Sequence, residues 1–509
     1  MIARFGLRNG TLPRWCLPVL FVLLVLPVGL WFALRVPIGQ VPDEIAHIYR
    51  AASLLDLQWI GHRVQVVQPP GNRVTIEGGV EGDMALLNID AFPPWKPDRA
   101  NKVMTPQIRQ DLAQVDWSGK RSFIAVPNTA SYMPLFYIPA ALAFGAVHAL
   151  GGTPYTAVLT GRVANAVVYA LIGCTALWLA ETGGMLLFAL LCLPMSVFLA
   201  ASFNQDGLMI ATVVLAVALL RRAGDRKPGE SVYDAPSARR PAGSGSMGQR
   251  AYWAGGILLA AVIAAKPPYL PLALVMLIPL RLNDVSLRTR IGGFLLVVAP
   301  AIVWSALVLK FSSVPFWRPD YHPGPLWFGD PGVTFHATDM AAQLSVLWHA
   351  PYRFVTLPAE LLFTSFRRLL SELIGVFGTL DVVLPRRLYS VWCLALLAAV
   401  GADVLTQPTR PLQRQPIDRL LVLVAIAGSV WLVCLVQYLT WTQVGASAID
   451  GVQGRYLIPA LAVLPLALPA WRLSVPAALR TFCILLPVAV VALDTIILPL
   501  VIERRYYPG

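Results

Sequence analysis

Charge is what this sequence has least of. Only 13% of its 509 residues are Asp, Glu, Lys or Arg, against 57% hydrophobic residues. That ratio excludes an ordinary soluble domain, because a single core cannot absorb so much apolar chain, whereas a bilayer can. Cysteine in polar surroundings is also absent. Cys16, Cys174, Cys192, Cys393, Cys434 and Cys483 all lie inside apolar runs, and there is no C-x-x-C pair. A disulfide framework or thiolate metal site is therefore not expected. No internal repeat stands out, and many transporters carry one. No small-x-small cleavage site follows the first apolar run, which is also too long for the core of a signal peptide. It is expected to stay as a first membrane helix, with Arg4, Arg8, Arg14 and the N-terminus in the cytoplasm. Acidic residues are outnumbered, giving a formal charge of +13. The arginines sit in short loops between apolar runs, a pattern of membrane orientation, and no nucleic-acid partner is expected.

What the chain does have is length of apolar sequence. Cys16–Ala33, Met185–Ala201, Ile291–Leu309, Leu420–Tyr438 and Leu479–Ile502 each approach the span of about 30 Å of hydrocarbon. Inside lipid each backbone amide must be paired within its own segment, so these runs must be helices. The expected fold is an all-α polytopic membrane protein with about 11 transmembrane helices, membrane-dipping or juxtamembrane helices and two large external loops. Beyond helix one, the expected spans are 160–180, 184–202, 206–220, 252–265, 268–280, 291–311, 388–405, 419–440, 456–470 and 481–502. Tyr132–Leu150 is apolar enough to span, but parity favours a dip into the outer leaflet. With a dip, loop 221–251, which holds seven Lys/Arg against three Asp/Glu, falls inside, together with 281–290, 406–419 and 471–480, as the positive-inside rule demands. Two features strain this arrangement: helices 252–265 and 268–280 are short, and Arg504-Arg505 falls outside.

The chain divides into 1–40 (N-terminus and first helix), 41–155 (first external loop and dipping helix), 156–311 (membrane core), 312–387 (second external loop) and 388–509 (C-terminal helices). In the first loop Val41–Asp56 reads as a helix with Pro42 in its first turn and acids at its positive end. Asp43, His47 and Arg50 share one face, with Ile45, Ile48, Ala52 and Leu55 set to rest on the membrane. Arg63–Val67 and Arg73–Ile76, parted by Pro69-Pro70-Gly71-Asn72, read as a hairpin. Segment 224–249, rich in Gly, Ser, Pro and Arg, reads as a flexible cytoplasmic connector. The second loop is dense in Trp317, Tyr321, His322, Trp327, Phe328, Phe335, His336, Trp348 and His349, and Tyr352–Phe377 reads as an interfacial helix. Its histidines lack metal-ligand spacing.

Under this topology polar residues gather on the outer side: Asp43, Glu44 and His47, then Arg162, Asn204-Gln205-Asp206, Lys266, and Gly454-Arg455-Tyr456. Ionisable groups at such depth are costly and are usually kept for function. Carboxylates and cations from remote stretches at one face suit an anionic lipid headgroup and a proton acceptor. Plainer readings remain open for each. Asp43 and Glu44 would cap any helix; His47 would bond one of them; Asp206 would cap a turn; Arg162, Lys266 and Arg455 would anchor at the interface; and the loop aromatics would form a packed lid. Asp43, Glu44 and Asp206 would also suit a divalent cation through oxygen.

V-P-D-E-I-A-H-I-Y-R-A (Val41–Ala51), S-F-N-Q-D-G-L (Ser202–Leu208), A-A-K-P-P-Y-L-P-L (Ala264–Leu272), G-V-F-G-T-L-D-V-V-L-P (Gly375–Pro385) and V-Q-G-R-Y-L-I-P (Val452–Pro459) together resemble a bacterial membrane-protein family of unknown function, DUF2142. That family is grouped with the GT-C glycosyltransferases, which use polyprenyl-phosphate donors. The resemblance implies a GT-C-like fold in the bacterial inner membrane and transfer of a sugar from polyprenyl phosphate to an envelope glycan or lipid. It further implies a phosphate held by Arg162, Lys266 and Arg455 with Asp206 and Tyr456 beside them, Asp43 (or Glu44) as base with His47 nearby, and inversion at the anomeric carbon. A flippase for lipid-linked sugars and a non-catalytic assembly subunit are the rival readings.

Overall fold

The computed structural model describes residues 12–68, 73–180, 184–224, 244–278, 286–315, 322–329, 338–405, 416–468 and 475–508. Several sequence expectations lie outside these residues: Arg4, Arg8, the Pro69–Asn72 turn, connector residues 225–243, Arg281, Arg410, Arg414, Arg472, and the loop residues Trp317, Tyr321, Phe335 and His336.

The chain is mostly helical. α1 (Cys16–Arg35) is followed by α2 (Glu44–Ala52), α3 (Ile138–Ala149), α4 (Pro154–Leu179), α5 (Gly184–Cys192), α6 (Pro194–Ala200), α7 (Asp206–Gly224), α8 (Ser244–Ala265) and α9 (Leu287–Phe311). The second half adds α10 (Met340–His349), α11 (Arg353–Thr364), α12 (Phe366–Ile374), α13 (Arg386–Leu405), α14 (Pro416–Thr440) and α15 (Ala477–Tyr506). Among the described residues, six helices are long and apolar enough to cross a membrane: α1, α4, α9, α13, α14 and α15. Their outward faces carry bare aliphatic side chains such as Leu23, Leu171, Ile302, Leu397, Leu423 and Ile496, as lipid-facing surfaces do.

Proline accounts for where the expected spans break up. The run expected at 184–202 is two helices, because Pro194 starts α6 and Leu193 leaves the helical region. Both are buried on nearly every side. At nine and seven residues they rise only about 14 and 11 Å, so neither crosses by itself. α5 begins against α13, where Asp403 Oδ1 and Oδ2 accept from the Met185 and Leu186 amides at 3.0 Å each. A carboxylate there complements the helix dipole. The run expected at 268–280 is a 3₁₀ helix, Pro267–Leu277, with Pro271 inside it. That expected at 456–470 is a string of short turns within Gly454–Leu466. α8 begins at Ser244 rather than near 252. The dipping segment forms Pro134–Tyr137 and α3, whose 12 residues give about 18 Å of rise, too short to span.

α4 sits at the centre, packed on α1, α3 and α7, while α8 lies on α7 and α9, and α15 on α1 and α13. α7 and α8 form an antiparallel pair, so Asp206 at the start of one and Lys266 just past the end of the other meet at the same end. Phe32 of α1, Phe198 of α6 and Phe377 join in one aromatic knot with centroids 4.6 to 5.6 Å apart.

The first loop is a folded subdomain. β1 (His62–Gln68) and β2 (Arg73–Asp83) form the expected hairpin, with His62 opposite Gly79 and Gln68 opposite Arg73. β3 (Arg121–Ala125) extends it to an antiparallel sheet in the order β1-β2-β3. α2 docks on this sheet through Tyr49, whose hydroxyl donates to the Asp83 carbonyl at 3.0 Å. Arg50, wholly buried, donates to the carbonyls of Tyr132, Gln58 and Trp59. Ile48, expected on the membrane, is wholly buried within the protein, and Leu55 lies against Gly145 of α3. The interfacial run expected at Tyr352–Phe377 is α11 and α12, parted at Ser365.

The far end of α15 closes onto this loop. Arg35 makes a two-toothed contact with Glu503 at 3.0 Å, and the Met104 amide donates to the Tyr506 carbonyl at 2.7 Å. Lys102 and Arg505 both reach Asp381 of the second loop, at 2.8 and 3.6 Å. The C-terminal end of α1, the first loop, the second loop and the C-terminus of α15 therefore share one side of the bundle.

Candidate functional site

The sequence-predicted residues fall into two separate ionic groups. The first is closed. Glu44 and Arg162 are both fully buried, and Arg162 Nε and Nη2 donate to the two Glu44 oxygens at 2.7 and 2.5 Å. The remaining Arg162 donors reach the carbonyls of Ala33, Val36 and Pro37 as α1 ends, and Glu44 Oε2 also accepts from the Gly39 amide at 3.1 Å. Arg162 lies well inside α4 rather than heading it. Every group is used, so this pair locks α1 to α2 and α4 and has nothing left for a substrate. The roles expected of Glu44 as alternate base and of Arg162 as phosphate ligand do not fit that geometry, since a desolvated bidentate pair gives up neither partner cheaply.

The second group is open on one side and contains Asp43, Asp206, Lys266, Arg455 and Tyr456. Lys266 Nζ lies 2.5 Å from Asp206 Oδ1. Arg455 spans two acids, with Nη2 at 3.6 Å from Asp43 Oδ2 and Nε at 3.7 Å from Asp206 Oδ2. Tyr456 underlies both cations, Lys266 Nζ at 4.4 Å and the Arg455 guanidinium at 5.2 Å from its ring centre, a cation–π arrangement. The Tyr269 hydroxyl donates to the Tyr456 carbonyl at 2.9 Å, tying the 3₁₀ run after Lys266 to the turn that carries Arg455. Arg455 is only 2% exposed, yet its Nε and Nη1 have no hydrogen-bond partner among the described residues. Gln205, next to Asp206, is likewise buried with both side-chain polar atoms unpartnered among them.

The plain capping reading fails for both acids of this group. The chain turns at Asp43 with φ 60° and ψ 16°, left-handed for a residue other than glycine, and its carboxylate makes no cap hydrogen bond to α2. Such a backbone costs of order 1 to 2 kcal/mol. It leaves the Asp43 side chain 44% exposed beside an almost fully buried Arg455. At the start of α7, the Asp206 amide is capped by Asn204 Oδ1 at 2.9 Å, so the Asp206 carboxylate is free for the cations.

His47 sits behind this group. Its Nδ1 meets the Tyr137 hydroxyl at 2.6 Å, and the rings of Tyr132 and Tyr137 stack beside it. Its ring bonds neither Asp43 nor Glu44; only its backbone amide donates to the Asp43 carbonyl, at 3.1 Å. Burial lowers its pKa to about 4, although Asp43 and Asp206 pull the other way, so the imidazole is neutral at pH 7. The trio Asp43, Glu44 and Asp206 does not assemble as a cation site: Glu44 faces Arg162, and among the described residues no three His, Cys, Asp or Glu side chains come together as a metal cluster.

Sequence reasoning missed Glu372, and it read Arg367-Arg368 only as charges in the middle of the interfacial run. Glu372 Oε2 accepts from the Gly454 amide at 2.7 Å, and Arg368 Nη1 donates to Glu372 Oε1 at 2.9 Å and to the Val452 carbonyl at 3.1 Å. Beyond this clamp lies a cavity of about 520 Å³ bounded by α11, α12 and the 448–451 turn, with Glu360, Arg368 and Asp450 among its walls. None of the second ionic group lines it. The i, i+4 spacing of Arg368 and Glu372 was the available signal, but it reads equally well as an ordinary surface pair.

Residues 26–464 match the family described as predicted membrane protein (DUF2142). The match takes in most of the chain, and the protein belongs to that family. No curated protein and no solved structure matches it.

Proposed function

We propose that this protein is a glycosyltransferase of the bacterial inner membrane. It moves a sugar from a polyprenyl-phosphate donor to a glycan or lipid acceptor at the outer face, in the manner of the GT-C enzymes. The observation that carries this reading is Asp43: an exposed carboxylate, strained into place without capping its helix, beside a buried guanidinium that has unused donors.

The chemistry follows from charge. At rest Asp43 and Asp206 balance Lys266 and Arg455, and His47 is neutral. Asp43 takes the proton of the acceptor hydroxyl as that oxygen bonds the anomeric carbon. The bond from that carbon to the donor phosphate oxygen breaks, its electron pair leaves with the polyprenyl phosphate, and the configuration inverts. Protonating Asp43 removes one negative charge from the cluster just as the leaving phosphate gains one. Arg455 and Lys266, already fixed, then face that new charge at little reorganisation cost. Glu44 and Arg162 build the floor and take no part.

Asn tolerates the left-handed turn, so Asp43→Asn keeps the fold and removes only the base. Cells carrying it should lose one defined monosaccharide from their surface glycans by mass spectrometry. Purified protein should lose transfer by roughly 10²- to 10⁴-fold, the usual contribution of a general base. Unchanged glycans with Asp43→Asn at normal expression would sink the proposal. Movement of lipid-linked sugar across liposomes without any transfer would favour a flippase instead.

A further inference from the structure

We infer that Glu372 is a positioning residue: through the Gly454 amide it sets where the Arg455 guanidinium points. This rests on Arg455 being a phosphate ligand, as proposed above.

Arg455's own polar contacts are all long. Its ion pairs are long, at 3.6 and 3.7 Å, its approach to the Tyr456 hydroxyl is 3.4 Å, and two of its nitrogens have no hydrogen-bond partner among the described residues. With no close hydrogen bond of its own, the buried guanidinium takes its fixed position from the backbone that carries it. That backbone is a 3₁₀ turn, Gly454–Leu457, too short to fix itself. What fixes it is α12. Glu372, itself 6% exposed, takes the Gly454 amide on one oxygen and Arg368 on the other, while Arg368 holds the Val452 carbonyl. The segment is thus gripped on both sides of Gln453, at Val452 and at Gly454, the residue before Arg455. The grip needs glycine: a Cβ at position 454 would stand 1.9 Å from the Leu369 carbonyl oxygen and 2.6 Å from the Leu373 amide. α12 is amphipathic, with Leu369, Leu373 and Ile374 buried and Phe366 exposed. A surface helix is therefore coupled, through one carboxylate, to a buried cation.

The test uses the full protein in nanodiscs, with undecaprenyl phosphate as probe and affinity read by native mass spectrometry. Arg455→Ala should weaken binding by about tenfold or more, the scale of one charge-assisted hydrogen bond. Glu372→Ala and Gly454→Ala should approach that loss, and Glu372→Gln should restore most of it because an amide oxygen still accepts from Gly454. In the double variant Glu372→Ala/Arg455→Ala, binding should be no weaker than in Arg455→Ala alone, since Glu372 acts only through Arg455. Additive losses, or wild-type affinity in both Glu372→Ala and Gly454→Ala, would overturn the positioning role while leaving the phosphate site standing. Wild-type affinity in Arg455→Ala would remove the phosphate site itself. A variant that fails to fold is recognised by its melting curve, and the remaining variants decide the matter.

Discussion

Asp43 and Glu44 are chain neighbours with opposite fates, and one backbone angle separates them. The left-handed turn at Asp43 sends its carboxylate to the open cluster, while Glu44, first residue of α2, faces inward to Arg162. Removing one partner of a buried pair strands the other, at a cost of about 3 to 5 kcal/mol. Glu44→Ala should therefore collapse expression and thermal stability, whereas Asp43→Asn should leave both near wild type. Equal melting temperatures for the two variants would refute the division of labour. His47 gives the pH signature. Its pKa is lowered to about 4 in the folded protein from an unfolded value near 6.5. Between those values the unfolded chain binds a proton that the folded one refuses, so stability falls as pH drops from about 6.5 to 4, by up to about 1.4 kcal/mol per pH unit. Asp90 opposes this: burial raises its pKa to about 6, so protonation there favours the folded form over the lower part of the same range. His47→Gln should thus melt at a temperature that falls less, or even rises, between pH 7 and pH 5; an unchanged slope would count against the assignment. In the sequence, Asp43, Asp206, Lys266 and Arg455 were legible as a group because charge is rare in so apolar a chain. The split between Asp43 and Glu44 was not, since adjacent acids look alike until a backbone angle parts them.

At the scale of elements, the long helices could be read from composition alone, whereas the interrupted ones could not. An apolar run of span length looks the same whether it forms one continuous helix or a broken one, and Pro194 and Pro271 decide between these only through local geometry. The third strand escaped notice because R-S-F-I-A is five residues paired across a long gap with β2. Asp403 tests the buried α5–α6 segment. Its two oxygens serve the first amides of α5, and truncation would leave buried donors unpaired at about 1 to 3 kcal/mol each. Asp403→Ala should lower the denaturation midpoint, Asp403→Asn should recover part of it, and the proposed sugar transfer per folded molecule should stay within about twofold, a change below 0.5 kcal/mol. A selective loss of transfer at unchanged stability would show that this segment is more than scaffold.

For the whole molecule, the contacts fix relative sidedness. α7 leaves the cluster at Asp206 and α8 returns to it at Lys266, so Gln249, seventeen residues before Lys266 in the α8 helix, stands about 25 Å away along the axis. The first loop, Asp381 of the second loop and the C-terminal end of α15 are bonded together on the cluster's side. This eases the point that strained the positive-inside pattern. Arg505 is held by Asp381 and by the Asn101 carbonyl, and Arg35 is balanced by Glu503, so these cations are employed in joining the loops and do not report orientation as free loop charges would. Segment 221–251, with seven Lys/Arg against three Asp/Glu, should govern insertion. In intact cells a membrane-impermeant maleimide should label Ser118→Cys and Tyr352→Cys, both at exposed positions, and should reach Gln249→Cys only after lysis; the native cysteines, buried or partly buried in the bundle, supply the background. Labelling of position 249 before lysis, with 118 and 352 protected, would turn the molecule over and put the cluster on the cytoplasmic face, where a donor at the outer face has no access to Asp43.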